Sequence, residues 1–337
     1  MRVNAQISDA ISERFGIADN QVSFDTRFND AASGLGFMIS QLAYLEQKMY
    51  ERKYANLFFD KCVPIVTGEV PEWANNVNYI SYDSSVKGKF IGSHAKDLPT
   101  VAIERQMHSA NLGYGGLSLR YSLDEMRKAQ HLGMNLDAEQ AVIAYRGARE
   151  HQQRVVFYGS APEGIRGFLN NADVTVTTSQ LALASATIDT LVDEVNKAIS
   201  EVWVNSNQAF LPNTICLPSE LYSKLANLRL TDTAQVMSGL KYLKEFSLYK
   251  EQTGADPEVI PMPQLSAKNM GAEGLTAKNT LVVYDKNPSN LTAWMPIAPR
   301  FIAPQAEGLE IITPMEYKIS GTEFRYPQSA MYLRLAD

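Results

Sequence analysis

Gly159-Ser-Ala-Pro-Glu-Gly-Ile-Arg-Gly-Phe-Leu-Asn170 is the stretch on which the reading of this chain turns. Glycine at 159, 164 and 167 with Pro162 marks a compact turn. Before it runs the longest helical pattern of the chain, about Leu136 to Tyr158, with Asn135 as candidate N-cap and Asp137 in the first turn. Ala138, Ala141, Val142, Tyr145 and Ala148 form an apolar stripe that resumes at Val155 and Val156. Between these, Arg149-Glu-His-Gln-Gln-Arg154 is polar on nearly every side. So thin an apolar face suits a spine lying across a subunit contact, its charges paired across symmetry. Arg149, His151 and Arg154 are therefore candidate interface residues.

After the turn, residues 166–299 read as a separate α/β unit. Ile188, Leu191, Val192, Val195, Ile199 and Val202 recur at helical spacing behind Thr187, and Trp203 closes the apolar face as a core residue. Thr214 to Leu217 is a buried-strand candidate, followed by a helix that opens at Pro218. A shorter helix over Ser238 to Phe246 precedes a strand at Val259 to Met262. Residues 266–279 read as a mobile loop. Thr280 to Tyr284 and Leu291 to Trp294 read as strands around a turn, and the tail from 299 to 336 is β-rich.

Upstream, residues 1–36 are polar and read as an extended arm, and Phe37 to Tyr54 has helical spacing. Residues 76–85 and 99–110 look like the two limbs of a long hairpin, joined by a segment with three lysines and two glycines. Such a polar limb is costly in ordering entropy for a lone subunit, unless a neighbour supplies the missing surface. Trp73, at its entrance, is a candidate anchor on that neighbour. Gly113, Gly115 and Gly116 mark a bend before a further extended run from Gly116 to Ser122, and are candidate hinges.

Composition narrows the function. The chain of 337 residues is 45% hydrophobic and 20% charged, ordinary for globular protein. Its net charge of -6 argues against tight binding to nucleic acid, where affinity scales with phosphates neutralised. Cys62 and Cys216, far apart in sequence, exclude a disulfide framework or thiolate metal cluster and read as buried small hydrophobes. No signal peptide or membrane span is visible, so a cytoplasmic product is expected. No phosphate-loop, zinc-protease, serine-hydrolase or dinucleotide motif occurs. His94, His108, His131 and His151 lack metal-ligand spacing, and Asp124 with Glu125 reads as the solvated first turn of a helix. No catalytic, cofactor or metal residue is assigned, and no cofactor is expected. An enzyme built on 166–299 would need a convergent polar site, and the sequence shows none.

The turn at Gly159 to Asn170, closing a long helix with Gly-Ile-Arg-Gly-Phe, resembles the junction between the two domains of tailed-phage major capsid proteins. Their Hong Kong 97-type fold is shared with bacterial encapsulins. The closing run Phe324-Arg-Tyr-Pro-Gln-Ser-Ala-Met-Tyr-Leu333 resembles the family's strand returning to the spine, and Pro64-Ile65 its early strand. The resemblance implies an α+β phage capsid fold with an N-terminal arm, extended loop, peripheral domain with long spine helix, and axial domain. It places residues 37–70, 113–165 and 300–337 in the peripheral domain, 71–112 in the extended loop and 166–299 in the axial domain. The function it implies is that of a shell subunit, assembled in a host bacterium into the virion head, with a scaffolding protein, a portal and, in some cases, decoration proteins as partners. Contact with packaged DNA would be weak. Lys87 and Lys89 in the hairpin are candidate interface residues; some relatives cross-link through a Lys and an Asn, though no motif supports that here. An encapsulin-like compartment is the alternative, disfavoured by the polar arm of residues 1–36.

Overall fold

The computed structural model describes residues 57–85, 90, 102–132, 136–182, 187–227, 229–230 and 237–336. The arm, the helix expected at Phe37 to Tyr54, Asn135, and the hairpin segment carrying Lys87, Lys89 and His94 lie outside them. In chain order the strands are β1 (Ile65–Val66), β2 (Asn76–Ser85), β3 (Ala102–Ser122), β4 (Thr175–Ala182), β5 (Thr214–Leu217), β6 (Arg229–Leu230), β7 (Met237–Ser238), β8 (Glu258–Pro261), β9 (Thr280–Tyr284), β10 (Leu291–Trp294), β11 (Ile297–Phe301), β12 (Gln305–Glu307), β13 (Glu310–Ser320), β14 (Glu323–Phe324) and β15 (Ala330–Ala336). Among the described residues the chain forms two compact units. One holds Tyr114–Gln152 and Ile297–Lys318; the other holds Phe58–Gly113, Gln153–Pro296 and the residues from Ile319 onward.

In the first unit β13 pairs antiparallel with β11 and β12, and neighbours β3 in the sheet. Leu119, Tyr121, Met126, Ala141 and Ile311 form one small core, and Ala148, Met315 and Tyr317 another. The helix Leu123–Leu132 starts with a reciprocal cap: Glu125 N–H donates to the Ser122 hydroxyl, and Ser122 N–H donates to the Glu125 carboxylate. Asp124 and Glu125 thus occupy the first turn, as read.

The second unit is built on the sheet β4-β15-β9-β5-β8. Its central strands β5, β9 and β15 are buried almost throughout because both faces are covered, whereas the outer strands β4 and β8 are more polar. Ile215, Leu217, Leu281, Val283, Met331 and Leu333 face one core, closed by the helices Ile188–Asn205, Ser219–Asn227 and Gly239–Glu245. Cys216, Val282, Tyr284, Ala330 and Tyr332 alternate with them into a second core holding Phe59, Cys62, Val156, Phe157 and Phe168. Both cysteines are buried, as expected. The helix Ile188–Asn205 buries Ile188, Leu191, Val192, Val195, Ile199 and Val202, and Thr187 caps it with a reciprocal bond to Thr190.

Several expectations need correction. Residues 266–279 are not a mobile loop: Ala267–Ala272 is a helix, pinned by buried Met270 and by Ala267 N–H donating to Asn279 Oδ1 at 2.9 Å. Trp203 is only half-buried, because Val202 takes the core-facing position. The strands at 280–284 and 291–294 flank their turn as read, but they belong to different sheets. β9 pairs with β15 and β5, whereas β10 pairs with β1 and β14. β13 meets the long helix where Tyr317 O–H meets His151 Nδ1 at 2.9 Å. The closing run also returns to that helix, Phe324, Ala330 and Tyr332 sharing a core with Val155, Val156 and Phe157, and its strand β15 lies between β4 and β9. No bend interrupts Gly113 to Gly116, since β3 runs unbroken from Ala102 to Ser122.

Candidate functional site

The turn that decides the sequence reading is held by bonds that each use one of its residues. Gly159 sits at φ 72, where an L side chain is strained, and a Cβ there would fall on the Ile165 carbonyl oxygen. Ser160 and Ile165 close the turn through a pair of backbone bonds, each 2.9 Å. Asn170 locks it from outside: its Oδ1 accepts from Gly167 N–H at 2.7 Å, and its Nδ2 donates to the Tyr158 carbonyl at 2.6 Å. Phe168 is fully buried, edge-on to Tyr284 at 5.1 Å and stacked on Phe324 at 5.8 Å. The turn therefore joins the helix end to the sheet through one aromatic cluster.

The hairpin is formed by β2 and β3, in register from Asn76↔Asn111 to Ser85↔Ala102. Alternation sends Val77 and Tyr79 toward a small core with Ala74, Ala110, Leu112 and Trp294. The opposite face carries Ile80 beside Met107, with Tyr82 and Ile103 further out. These four are 64%, 71%, 74% and 54% exposed respectively for Ile80, Met107, Tyr82 and Ile103, and Trp73 at the entrance is 81% exposed. Four large apolar side chains on one face of a two-stranded ribbon, with Arg105 opposite Tyr82 among them, make an unfilled contact surface. The expectation of a mostly polar limb missed it. The signal was present as the period-two spacing of Ile80 and Tyr82, but only the register brings Met107 and Ile103 beside them.

At the hairpin root, Tyr79 O–H donates to Glu323 Oε1 at 2.8 Å. His108 stacks on the Tyr79 ring at 5.0 Å and meets Ser81 Oγ through Nε2 at 2.8 Å. The Arg325 guanidinium lies 5.9 Å from the Tyr79 ring centre and 5.6 Å from that of Trp294. Burial pushes the Glu323 carboxyl above its usual range, while the Tyr79 hydroxyl opposes the rise. Burial likewise pushes the Tyr79 phenol up, reinforced by its bond to Glu323.

The other singled-out residues are dispersed. Arg154 is paired inside the chain, with its guanidinium 2.8 Å from the Glu273 carboxylate, so its charge is not left for a symmetry mate alone. His151 is engaged by Tyr317. His131 is exposed in the last turn of Leu123–Leu132. Gly113, Gly115 and Gly116 are explained by close packing. A Cβ at Gly115 would lie 2.5 Å from the Tyr317 ring, one at Gly116 3.0 Å from the Met315 carbonyl and one at Gly113 3.1 Å from the Ile165 side chain. Among the described residues no group of three or more His, Cys, Asp or Glu is placed to hold a metal, and no helix is long and apolar enough to cross a membrane.

Comparison with known proteins gives concordant results. The family model for the major capsid protein matches residues 87–334. No curated protein matches the chain. Among solved structures, the capsid of Myoviridae phage XM1 superposes with a TM-score of 0.69 at 13% identity, over 85% of this chain and 94% of that one. A structure of Mycobacterium phage Ogopogo gives 0.54 at 15% identity, over 85% and 94%. A virus-like particle from Pyrococcus furiosus gives 0.54 at 12% identity, over 88% and 99%. At such identities the likeness is one of fold.

Proposed function

The chain belongs to the major capsid protein family and has the Hong Kong 97-type fold of phage capsids, and from that premise we propose that it self-assembles into the pentamers and hexamers of an icosahedral head around double-stranded DNA. The family match over residues 87–334 carries the reading. The hairpin supplies its mechanism. Each subunit exports an apolar face of Ile80, Tyr82, Ile103 and Met107 that its own core does not fill, and the next subunit covers it. Contacts of ~1,600 Å², repeated around each subunit, hold a shell by mass action without any single strong bond.

In this reading Trp73, Lys87 and Lys89 work with the hairpin, and the sheet of β4, β5, β8 and β9 forms the axial domain of residues 166–299, completed by β15 from the chain's closing run. The role is structural, not catalytic. A scaffolding protein, a portal and decoration proteins are the partners to look for, with assembly in the bacterial cytoplasm. Electron microscopy of the expressed protein, together with sizing, tests the reading: particles or capsomers are expected, and a stable monomer at high concentration overturns it.

A further inference from the structure

A cleft of about 320 Å³ opens at the hairpin root, where β3 leaves the end of β13. Ser109 and Asn111 of β3, Gly164 and Arg166 of the turn, and Gly321 and Glu323 line it. Its two charged side chains, Arg166 and Glu323, are not paired with each other. Arg166 is already committed to Asp173 at 2.6 Å, and Asn111 Nδ2 donates to the Glu163 carbonyl at 3.0 Å. Arg325 is stacked on Tyr79 and Trp294, with its own hydrogen bond to the Pro288 carbonyl at 3.3 Å. Glu323 accepts from the Tyr79 hydroxyl, and Arg166 and His108 act on it through space, but neither is hydrogen-bonded to it among the described residues.

A partly buried carboxylate whose only hydrogen bond comes from a neutral hydroxyl is under-compensated when the nearby cations act only through space, and the group that completes it is a directly bonded cation. Met107, from the exposed apolar face of the hairpin, also borders the cleft. A neighbour covering that face therefore passes the cleft mouth. We propose that the cleft is the seat for a lysine or arginine side chain of a second copy of this chain, with Glu323 as its counter-charge. The inference rests on the assembly reading above and names one contact within it.

Glu323→Gln keeps the shape and the acceptor for Tyr79 but removes the charge. Tyr79→Phe keeps the charge and removes the bond within the chain. The measurement is the subunit concentration at which particles appear, at low and at moderate salt, with the melting temperature of dissociated subunits alongside. Glu323→Gln is expected to raise that concentration about tenfold or more and to blunt its salt dependence, because loss of a desolvated charge partner at an interface is expensive. Subunit melting should not fall, and Tyr79→Phe should assemble close to wild type. Particles from Glu323→Gln at the wild-type concentration overturn the seat. So does an equal loss in both variants, which would make the carboxylate a tether for the hairpin root. Magnesium or calcium binding to dissociated wild-type capsomers, lost in Glu323→Gln, overturns it in favour of a solution cation. Failure of the wild type to form particles removes the assembly reading and the seat together, whereas wild-type particles with an indifferent Glu323→Gln remove the seat alone.

Discussion

Gly115 and Phe168 show how single residues carry this fold. Gly115 lies in a strand, with no turn to serve, and the Tyr317 ring occupies the space a side chain would need. Tyr317 is itself buried and tied to His151, so it has little room to yield. Gly115→Ala should therefore destabilise by ~1–3 kcal/mol through overpacking, read in a denaturant titration. Phe168→Ala removes the ring that packs on both Tyr284 and Phe324, and ~3–5 kcal/mol should be lost in the same measurement. Glu323 makes a pH prediction for dissociated subunits. Its folded-state pKa is raised by burial, so its favourable contribution is complete below the unfolded value of about 4.3 and is lost as pH rises through the folded value. The stability of the wild type relative to Glu323→Gln should fall across that rise. A flat difference would show that the carboxylate is as well solvated folded as unfolded.

The hairpin and the long helix make opposite predictions as elements. Deleting Ser84 to Asp97 and closing with a short turn should leave the subunit folded and its shells lost, because the cores lie elsewhere. Replacing Ile80 and Tyr82 by Ser tests the face itself: both are exposed, so melting should change little while particle formation fails. Normal particles from either variant would remove the hairpin from the assembly mechanism. For the long helix, the ion pair of Arg154 with Glu273 is mostly solvent-exposed on the arginine side. Arg154→Ala should therefore lose at most about 1 kcal/mol of subunit stability, as surface ion pairs do. The helix ends, Leu136 and Tyr158, and the strands Thr214–Leu217, Thr280–Tyr284 and Leu291–Trp294 were legible from apolar spacing and turn residues alone. The helix inside 266–279 was not, because it is under two turns long and held by a single buried Met270 and a distant Asn279.

For the whole molecule, charge decides how it meets its contents. The run Lys241 to Lys250 splits into the helices Gly239–Glu245 and Leu248–Thr253, and Lys250 is held between Glu245 and Asp256, 2.9 Å from each. With net charge -6 and this lysine neutralised internally, capsomers should bind DNA weakly, without sequence preference, and release it at modest salt. A filter-binding assay checks this. Sub-micromolar affinity at physiological salt, lost when Lys268 and Lys278 become Ala, would show specific nucleic-acid contacts on the segment 266–279.

Sequence alone determined the α+β class, the spine helix, the turn at Gly159 and, through that turn, the capsid family. Those features are written in spacings of a few residues, where helical or strand periodicity and glycine geometry act locally. Tertiary structure decided the rest. It placed β15 between β4 and β9, set Ile80 beside Met107 across the hairpin register, and brought Tyr79 to Glu323 across 244 residues of chain. Such pairings depend on which long-range contacts best bury apolar surface and satisfy polar groups together, and no local period records that choice.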